Sequence, residues 1–316
     1  MLAAAQPAAP VEIGRDEPVR LMTPSLRHYK SKSIRVRHLR EGQTLLVTGG
    51  ARGVTAAALK ELARSFKPRL VILGRTPMPG DEPKWLRNLN DEAAVRQAVF
   101  DRAQVKPNPR ELAAQSSAIM AGREIKENLA AMERAGAKVN YVSGDFGKPE
   151  ILKSTLVEIK RLYGPIHGFL HGAGVLADSL LVDKKDEDFD LVFNTKARMA
   201  ERILAELNGQ PLNFVAFFSS STARFGRRGQ ADYAAGNEVL NKLARAMSGN
   251  RQAPKCLSVN WGPWAGGMVD AGLQRLFESE GVGLIPLAEG ARLFTTLAGS
   301  PKNDPAGGVV LGTAAH

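Results

Sequence analysis

The apolar run Phe214–Phe218 reads as a strand and leads into Ser219-Ser220-Ser221, with Tyr233 thirteen residues after Ser220. Tyr233 falls on a helical stretch, Ala231–Met247, and Asn237 follows it one turn later. A serine and a tyrosine hydroxyl brought together can polarise a carbonyl oxygen by hydrogen bonding and then supply it with a proton. A free phenol has a pKa of about 10, so it relays protons near neutrality only if a nearby cation stabilises the phenolate. Lys196 is the candidate for that cation. The set suits reduction of a ketone by a bound nicotinamide.

A second group of residues suits an anionic dinucleotide. Thr48-Gly49-Gly50-Ala51-Arg52-Gly53-Val54-Thr55 lies between an apolar strand, Thr44–Val47, and an alanine-rich helical stretch, about 53–66. Backbone N–H groups and the helix dipole at such a turn can hold a pyrophosphate. The second strand ends in Gly74-Arg75, where an enzyme selective for NADH would place an acidic residue against the ribose hydroxyls. Arg75 and Arg52 instead suit a 2′-phosphate, which predicts NADPH. Gly144-Asp145-Phe146 and His171-Gly172-Ala173-Gly174 follow the third and fourth strands, at the edge where open α/β sheets bind ligands. Asp145 can accept from an adenine amino group, and the glycines beside His171 allow the backbone close to a cofactor. His171 itself reads as a packing and hydrogen-bonding residue.

The elements that must position these groups alternate. Short apolar runs recur at Leu70–Leu73, Val139–Val142, Ile166–Leu170, Phe214–Phe218, Leu257–Asn260 and Val309–Leu311, mostly separated by helical patterns. This rhythm predicts parallel βαβ crossovers: an α/β, Rossmann-type, doubly wound parallel sheet of about seven strands. Residues 1–41 read as a linker or N-terminal extension with an edge strand near Ser33–Leu39, and 42–316 as the Rossmann-type domain. Between Arg75 and Lys138 the chain uses about twice the length that one crossover needs. A helical insertion over about 76–137 follows, with one long helix from Pro109 to Arg134. Its role is architectural, or it serves dimerisation or carrier docking.

Composition excludes several classes. The 316 residues contain no apolar run long enough to span a membrane, and MLAAAQPAAP lacks the basic start and continuous apolar core of a signal peptide, so a cytoplasmic location is expected. One cysteine, Cys256, forbids an internal disulfide, and five scattered histidines offer no metal-ligand spacing; no metal site is expected. The net charge is +11, and seven of the basic residues lie between Arg20 and Arg40 without an acidic one. No nucleic-acid-binding motif accompanies them, so the charge points to an acidic carrier protein, an anionic cofactor or simply a solvated tail.

From about Gly42 onward the motifs quoted above resemble the short-chain dehydrogenase/reductase superfamily. Within it they are similar to the ketoreductase domains of polyketide and polyunsaturated fatty-acid synthases. Phe218-Ser219-Ser220 through Gly229-Gln230-Ala231-Asp232-Tyr233-Ala234-Ala235-Gly236-Asn237 follows that pattern, and the segment from Asn260 to Met268, with Gly262 and Pro263, is similar to the loop beside the nicotinamide. Asn four residues after the tyrosine, with the lysine on the preceding helix, is the arrangement of the synthase branch. The resemblance implies Tyr233 as proton donor, Ser220 as carbonyl hydrogen-bond donor, Lys196 as the cation that depresses the tyrosine pKa, and Asn237 as orienter of Lys196 or a relay water. It implies a β-ketoacyl thioester substrate carried by an acyl carrier protein, companion domains of a megasynthase, and, from Leu176-Ala177-Asp178 with Phe225, a D-configured alcohol. Thr55 and Ala223 replace family glycines without touching the chemical groups. A non-catalytic NADPH-binding scaffold and a reductase of free small ketones are the alternatives.

Overall fold

A computed structural model describes residues 14–16, 20–22, 38–248, 253–267, 269, 271–301 and 307–310. The chain divides into two compact units, Met1–Ser33 and Ile34–His316. In the first, β1 (Gly14–Asp16) and β2 (Arg20–Met22) pair antiparallel, inside a stretch where the sequence shows no strand periodicity. The expected edge strand over Ser33–Leu39 falls mostly outside the described residues, as do most of the basic cluster and Met268.

In the second unit seven strands form one parallel sheet: β3 (Thr44–Thr48), β4 (Arg69–Gly74), β5 (Lys138–Ser143), β6 (Ile166–His171), β7 (Phe214–Ser220), β8 (Lys255–Trp261) and β9 (Gly307–Val310). Their spatial order is β5-β4-β3-β6-β7-β8-β9. All neighbours are parallel, so every strand delivers its carboxyl end to the same edge. The order reverses between β3 and β6. That crevice is where a doubly wound sheet takes ligands.

Alternation along the strands supplies two cores. Leu45, Val47, Leu70, Ile72, Ala216 and Phe218 face α1 (Gly53–Phe66), α3 (Pro109–Arg134) and α10 (Leu287–Ala298), through Leu59, Leu62, Ile125, Leu129, Met132 and Phe294. Leu46, Val71, Leu73, Val215 and Phe217 point to the other face. There they meet Leu152, Leu156 and Ile159 of α4 (Pro149–Tyr163), Ile203 of α6 (Met199–Glu206) and Leu240 of α8 (Ala231–Met247). Both faces are covered, as strands of near-continuous apolar sequence require.

The long β4–β5 connection is helical. After irregular residues, α2 (Glu92–Arg102) starts on an Asp91 cap, and α3 starts on a reciprocal capping box between Asn108 and Glu111. Arg123 of α3 ties down the irregular lead-in through Glu82 and the carbonyls of Leu86 and Leu89. α3 also packs on α1, so the inserted stretch lies beside the helix that opens at the glycine turn. Two further helices, α5 (Asp186–Phe193) and α7 (Thr222–Phe225), and then α9 (Ala271–Ser279), complete the α elements.

Candidate active site

The glycine turn closes on its neighbours at distances only glycine allows. A Cβ on Gly49 would stand 2.7 Å from the backbone of Ala173, and one on Gly172 would stand 2.5 Å from the Thr55 hydroxyl. Gly49 also takes a positive φ of 71°. Thr48 and Gly49 thus lie against Gly172 and Ala173, with Gly174 next in chain, across the β3–β6 crevice, while Gly50 packs toward Val47 and Leu59. The loop after β8 reaches the same place, since a Cβ on Gly53 would meet Gly267 at 3.2 Å. Gly262 is buried, and Pro263 accepts from the Ile285 amide at 2.8 Å, which anchors that loop.

At the start of α1, the N–H groups of Val54 and Thr55 have no hydrogen-bond acceptor among the described residues, and no acidic residue occupies the first turn. A helix start with free donors, a glycine cradle and flanking arginines fits a dinucleotide phosphate. Arg75, at the end of β4, is exposed and has no ion pair among the described residues. Arg52 is paired: its Nε donates to Glu124 at 2.8 Å. Asp145 is exposed beside Lys148, at 3.6 Å. The Phe146 side chain is buried in the core with Leu152 and Leu156, so only its backbone is available to a ligand.

His171 is fully buried, and its Nδ1 is 2.7 Å from the Thr48 hydroxyl. Burial, reinforced by the Lys196 charge, pushes its pKa down to about 3. It is therefore a neutral packing group, as its sequence context suggests.

The reacting groups come from three elements. Ser220 ends β7 and is 9% exposed, with its Oγ accepting from the Thr222 amide at 3.2 Å. Tyr233 occupies the first turn of α8, and Asp232 Oδ1 accepts from its amide at 2.8 Å. Lys196 sits in a π-helical turn, 194–198, inserted between α5 and α6. Such a turn is an irregularity frequent at functional sites. A Cβ on Gly236 would be 3.0 Å from the Lys196 Cβ; the missing side chain lets the lysine stem lie against α8. The Lys196 ammonium is buried, donates to the Phe218 carbonyl at 2.9 Å and stands 5.7 Å from the centre of the Tyr233 ring.

Burial lowers the Lys196 pKa to about 8. The Tyr233 phenol is raised above its ordinary value, chiefly by burial and also by the Asp178 carboxylate, against hydrogen bonding from Asn237 and Ser220. This corrects the expectation of a depressed tyrosine, because desolvation of the phenolate outweighs the stabilising contacts. Asn237 donates to the Tyr233 carbonyl at 2.8 Å, while its buried Oδ1 has no partner; it makes no described bond to Lys196.

Buried polar bonds hold this arrangement, and the motifs do not foretell their pairings. Ser219 Oγ lies 3.1 Å from both the Asn237 carbonyl and Asn260 Oδ1, which share its single proton, and Asn241 donates to the same Asn260 oxygen at 2.8 Å. These buried bonds tie α8 to β7 and β8. Gln230 donates to Asp178 at 2.7 Å, and Lys184 pairs with Asp232 at 2.8 Å while also donating to the Ala177 carbonyl. The segment after β6 is thereby fastened to the start of the helix bearing Tyr233.

Comparison with known proteins places the chain in a family. A family described as KR domain matches residues 43–266. One chain of a polyunsaturated fatty acid synthase from Thraustochytrium sp. is 32% identical over 81% of this chain, which spans 9% of that protein. Polyketide synthase PksM from Bacillus subtilis is 26% identical over 81% of the chain, which spans 5% of it. Among solved structures, an N-terminal ketoreductase from the macrolactin assembly line superposes with a TM-score of 0.65 at 23% identity, covering 90% of this chain and 47% of that one. A short-chain dehydrogenase from Burkholderia cenocepacia in complex with NADP gives 0.62 at 17% identity, covering 86% and 97%. These last likenesses concern the fold.

Proposed function

We propose, on the premise that this chain belongs to the KR domain family of the short-chain dehydrogenase/reductase superfamily, that it reduces a β-ketoacyl thioester to the β-hydroxyacyl thioester with NADPH. The observation that carries the proposal is the approach of a buried ammonium, Lys196, to within 5.7 Å of the Tyr233 ring, with Ser220 among the side chains that act on the phenol's titration.

Bound in the glycine cradle, NADPH would supply the hydride. Thr48, Gly49, Gly50 and Val54 would hold its pyrophosphate, with Gly53 giving close backbone approach while its amide stays with Glu124. Arg52 and Arg75 would hold its 2′-phosphate and Asp145 its adenine, and Gly172, Ala173, Gly262 and Pro263 would border the nicotinamide half. Ser220 and Tyr233 point two hydroxyl donors at the substrate oxygen and polarise it. A raised pKa keeps Tyr233 protonated at neutral pH, so it has the proton to give as negative charge develops on that oxygen. The resulting phenolate gains from the nearby Lys196 ammonium, which the Phe218 carbonyl fixes in place. Asn237, with an unpartnered buried Oδ1, is suited to hold the water that refills the proton.

The substrate is proposed to arrive on the phosphopantetheine of an acyl carrier protein, and the net charge of +11 supports an acidic partner. A D-configured product is supported by Leu176-Ala177-Asp178, whose carboxylate is held by Gln230 three residues before Tyr233. The test is NADPH oxidation with an acetoacetyl thioester, free and carrier-bound, with chiral analysis of the alcohol. Turnover of both, with a lower and salt-sensitive KM for the carrier-bound form, supports the reading. NADPH binding without oxidation of either substrate overturns it in favour of a scaffold.

A further inference from the structure

Helix α3 is joined to α1 by the apolar seam of Ile125, Leu129 and Met132, and that seam alone would serve an architectural role. Yet α3 also sends two polar side chains onto three consecutive residues of the glycine turn. Glu124 accepts from Arg52 Nε through Oε2 at 2.8 Å and from the Gly53 amide through Oε1 at 2.9 Å. Asn128, one turn further along, donates to the Ala51 carbonyl at 3.0 Å and accepts from Lys60 of α1 at 3.1 Å.

The direction of these bonds matters. A guanidinium is a rigid planar fork of five donors, so fixing one edge fixes the others. Glu124 takes the Nε edge of Arg52, and the two terminal nitrogens have no partner among the described residues, while the side chain stays 50% exposed. Glu124 also caps one of the orphan N–H groups of α1, since Arg52 at the N-cap position makes no side-chain cap and the first turn has no acid. The Val54 and Thr55 amides remain open to an anion.

We propose that Glu124 is a positioning residue for cofactor selection: from the inserted helix it aims the free end of Arg52 at the 2′-phosphate that distinguishes NADPH from NADH. The inference rests on the NADPH reading above. It makes cofactor preference depend on the β4–β5 insertion as well as on the glycine turn. The opposite arrangement, a carboxylate standing where the phosphate should go, has the opposite sign in a binding experiment.

Dissociation constants for NADPH and NADH are measured by cofactor fluorescence on the full chain, without substrate. The proteins are wild type, Glu124→Ala, Glu124→Gln, Arg52→Ala and the Glu124→Ala/Arg52→Ala double variant. Glu124→Ala is expected to weaken NADPH about five- to tenfold and NADH less than about twofold, with Glu124→Gln between it and wild type. The double variant should match Arg52→Ala alone, because Glu124 acts through that arginine. A merely structural loss would weaken both cofactors alike. If Arg52→Ala lowers the preference for NADPH but both Glu124 variants leave it unchanged, or tighten NADPH, the positioning role is overturned and the NADPH reading stands. If Arg52→Ala leaves the preference unchanged, the placement of Arg52 at the phosphate falls, and this inference with it. Glu124→Gln, nearly isosteric, decides the matter if the alanine variant does not fold.

Discussion

The Lys196 ammonium gives its described hydrogen bond to the Phe218 carbonyl and stands 5.7 Å from the centre of the Tyr233 ring. The cation is thus held beside the phenol by backbone rather than by the phenol itself. Before reaction the phenol keeps its proton, because burial raises its pKa; afterwards the phenolate has a fixed counter-charge. The rate of proton delivery then depends on whether Lys196 is charged.

Burial lowers the Lys196 pKa to about 8, which places that dependence in an accessible range. Below this value the ammonium is present, and above it the site loses its cation. We expect kcat/KM in the direction of reduction to fall above about pH 8, approaching tenfold per pH unit, while NADPH binding stays nearly level. Lys196→Arg, which remains charged throughout, should flatten the alkaline limb at a lower overall rate. Steady-state profiles from pH 6 to 10 decide it; a wild-type profile without an alkaline limb would remove Lys196 from the proton path.

Tyr233→Phe deletes one oxygen at the site and keeps the ring beside the Lys196 ammonium. Turnover should drop by about 10²- to 10⁴-fold with little change in NADPH affinity or thermal midpoint. The check is single-turnover NADPH oxidation beside a cofactor titration. Activity within a few-fold of wild type means that another group supplies the proton.

What the sequence discloses here and what it hides have physical reasons. Strands are readable because their two-residue alternation serves two cores, as in Leu45 and Val47 against Leu46. Ser220, Tyr233 and Asn237 are readable because a strand end and one helical turn place them at fixed offsets. The contacts that hold the site join residues with no local period: Glu124 to Arg52 across 72 positions, Lys184 to Asp232 across 48. Glu and Lys are mostly surface residues, so nothing in their type signals such partners. The π-helical turn at Lys196 leaves no compositional mark, and the tyrosine's raised pKa follows from burial depth, which spacing does not report.

His171 couples the fold to acidity. Its folded pKa is about 3 against an ordinary 6.5, through burial and the Lys196 charge. Between those values the unfolded imidazole binds a proton that the folded one refuses, so stability is fully present above about pH 6.5 and declines as pH falls toward 3. From pH 6.5 to 5 the expected loss from this group is about 2 kcal/mol. Urea midpoints for wild type and His171→Gln at pH 7 and 5 isolate it: the variant starts lower, having lost the Thr48 contact, but should lose less on acidification. Equal losses in the two proteins would show that His171 is not the linked group.

The Lys184–Asp232 pair is nearly sealed, its side chains 3% and 1% exposed, and each partner has a second duty: Lys184 to the Ala177 carbonyl, Asp232 to the Tyr233 amide. Removing one member leaves the other as an uncompensated buried charge, which typically costs 3–5 kcal/mol, whereas an exposed pair would cost under about 1. Asp232→Asn and Lys184→Met should each lower the thermal midpoint by roughly 6–20 °C, at about 2–4 °C per kcal/mol for a domain of this size. The double variant Lys184→Met/Asp232→Leu should recover much of that loss, since no charge is then buried. It should still turn over less well than wild type, because the segment carrying Ala177 and Asp178 then keeps only its tie through Gln230 to the start of α8. Melting curves and NADPH oxidation on the three proteins separate the two effects. Single variants that melt with wild type would mean water reaches this pair and that the segment is held by Gln230 and Asp178 instead.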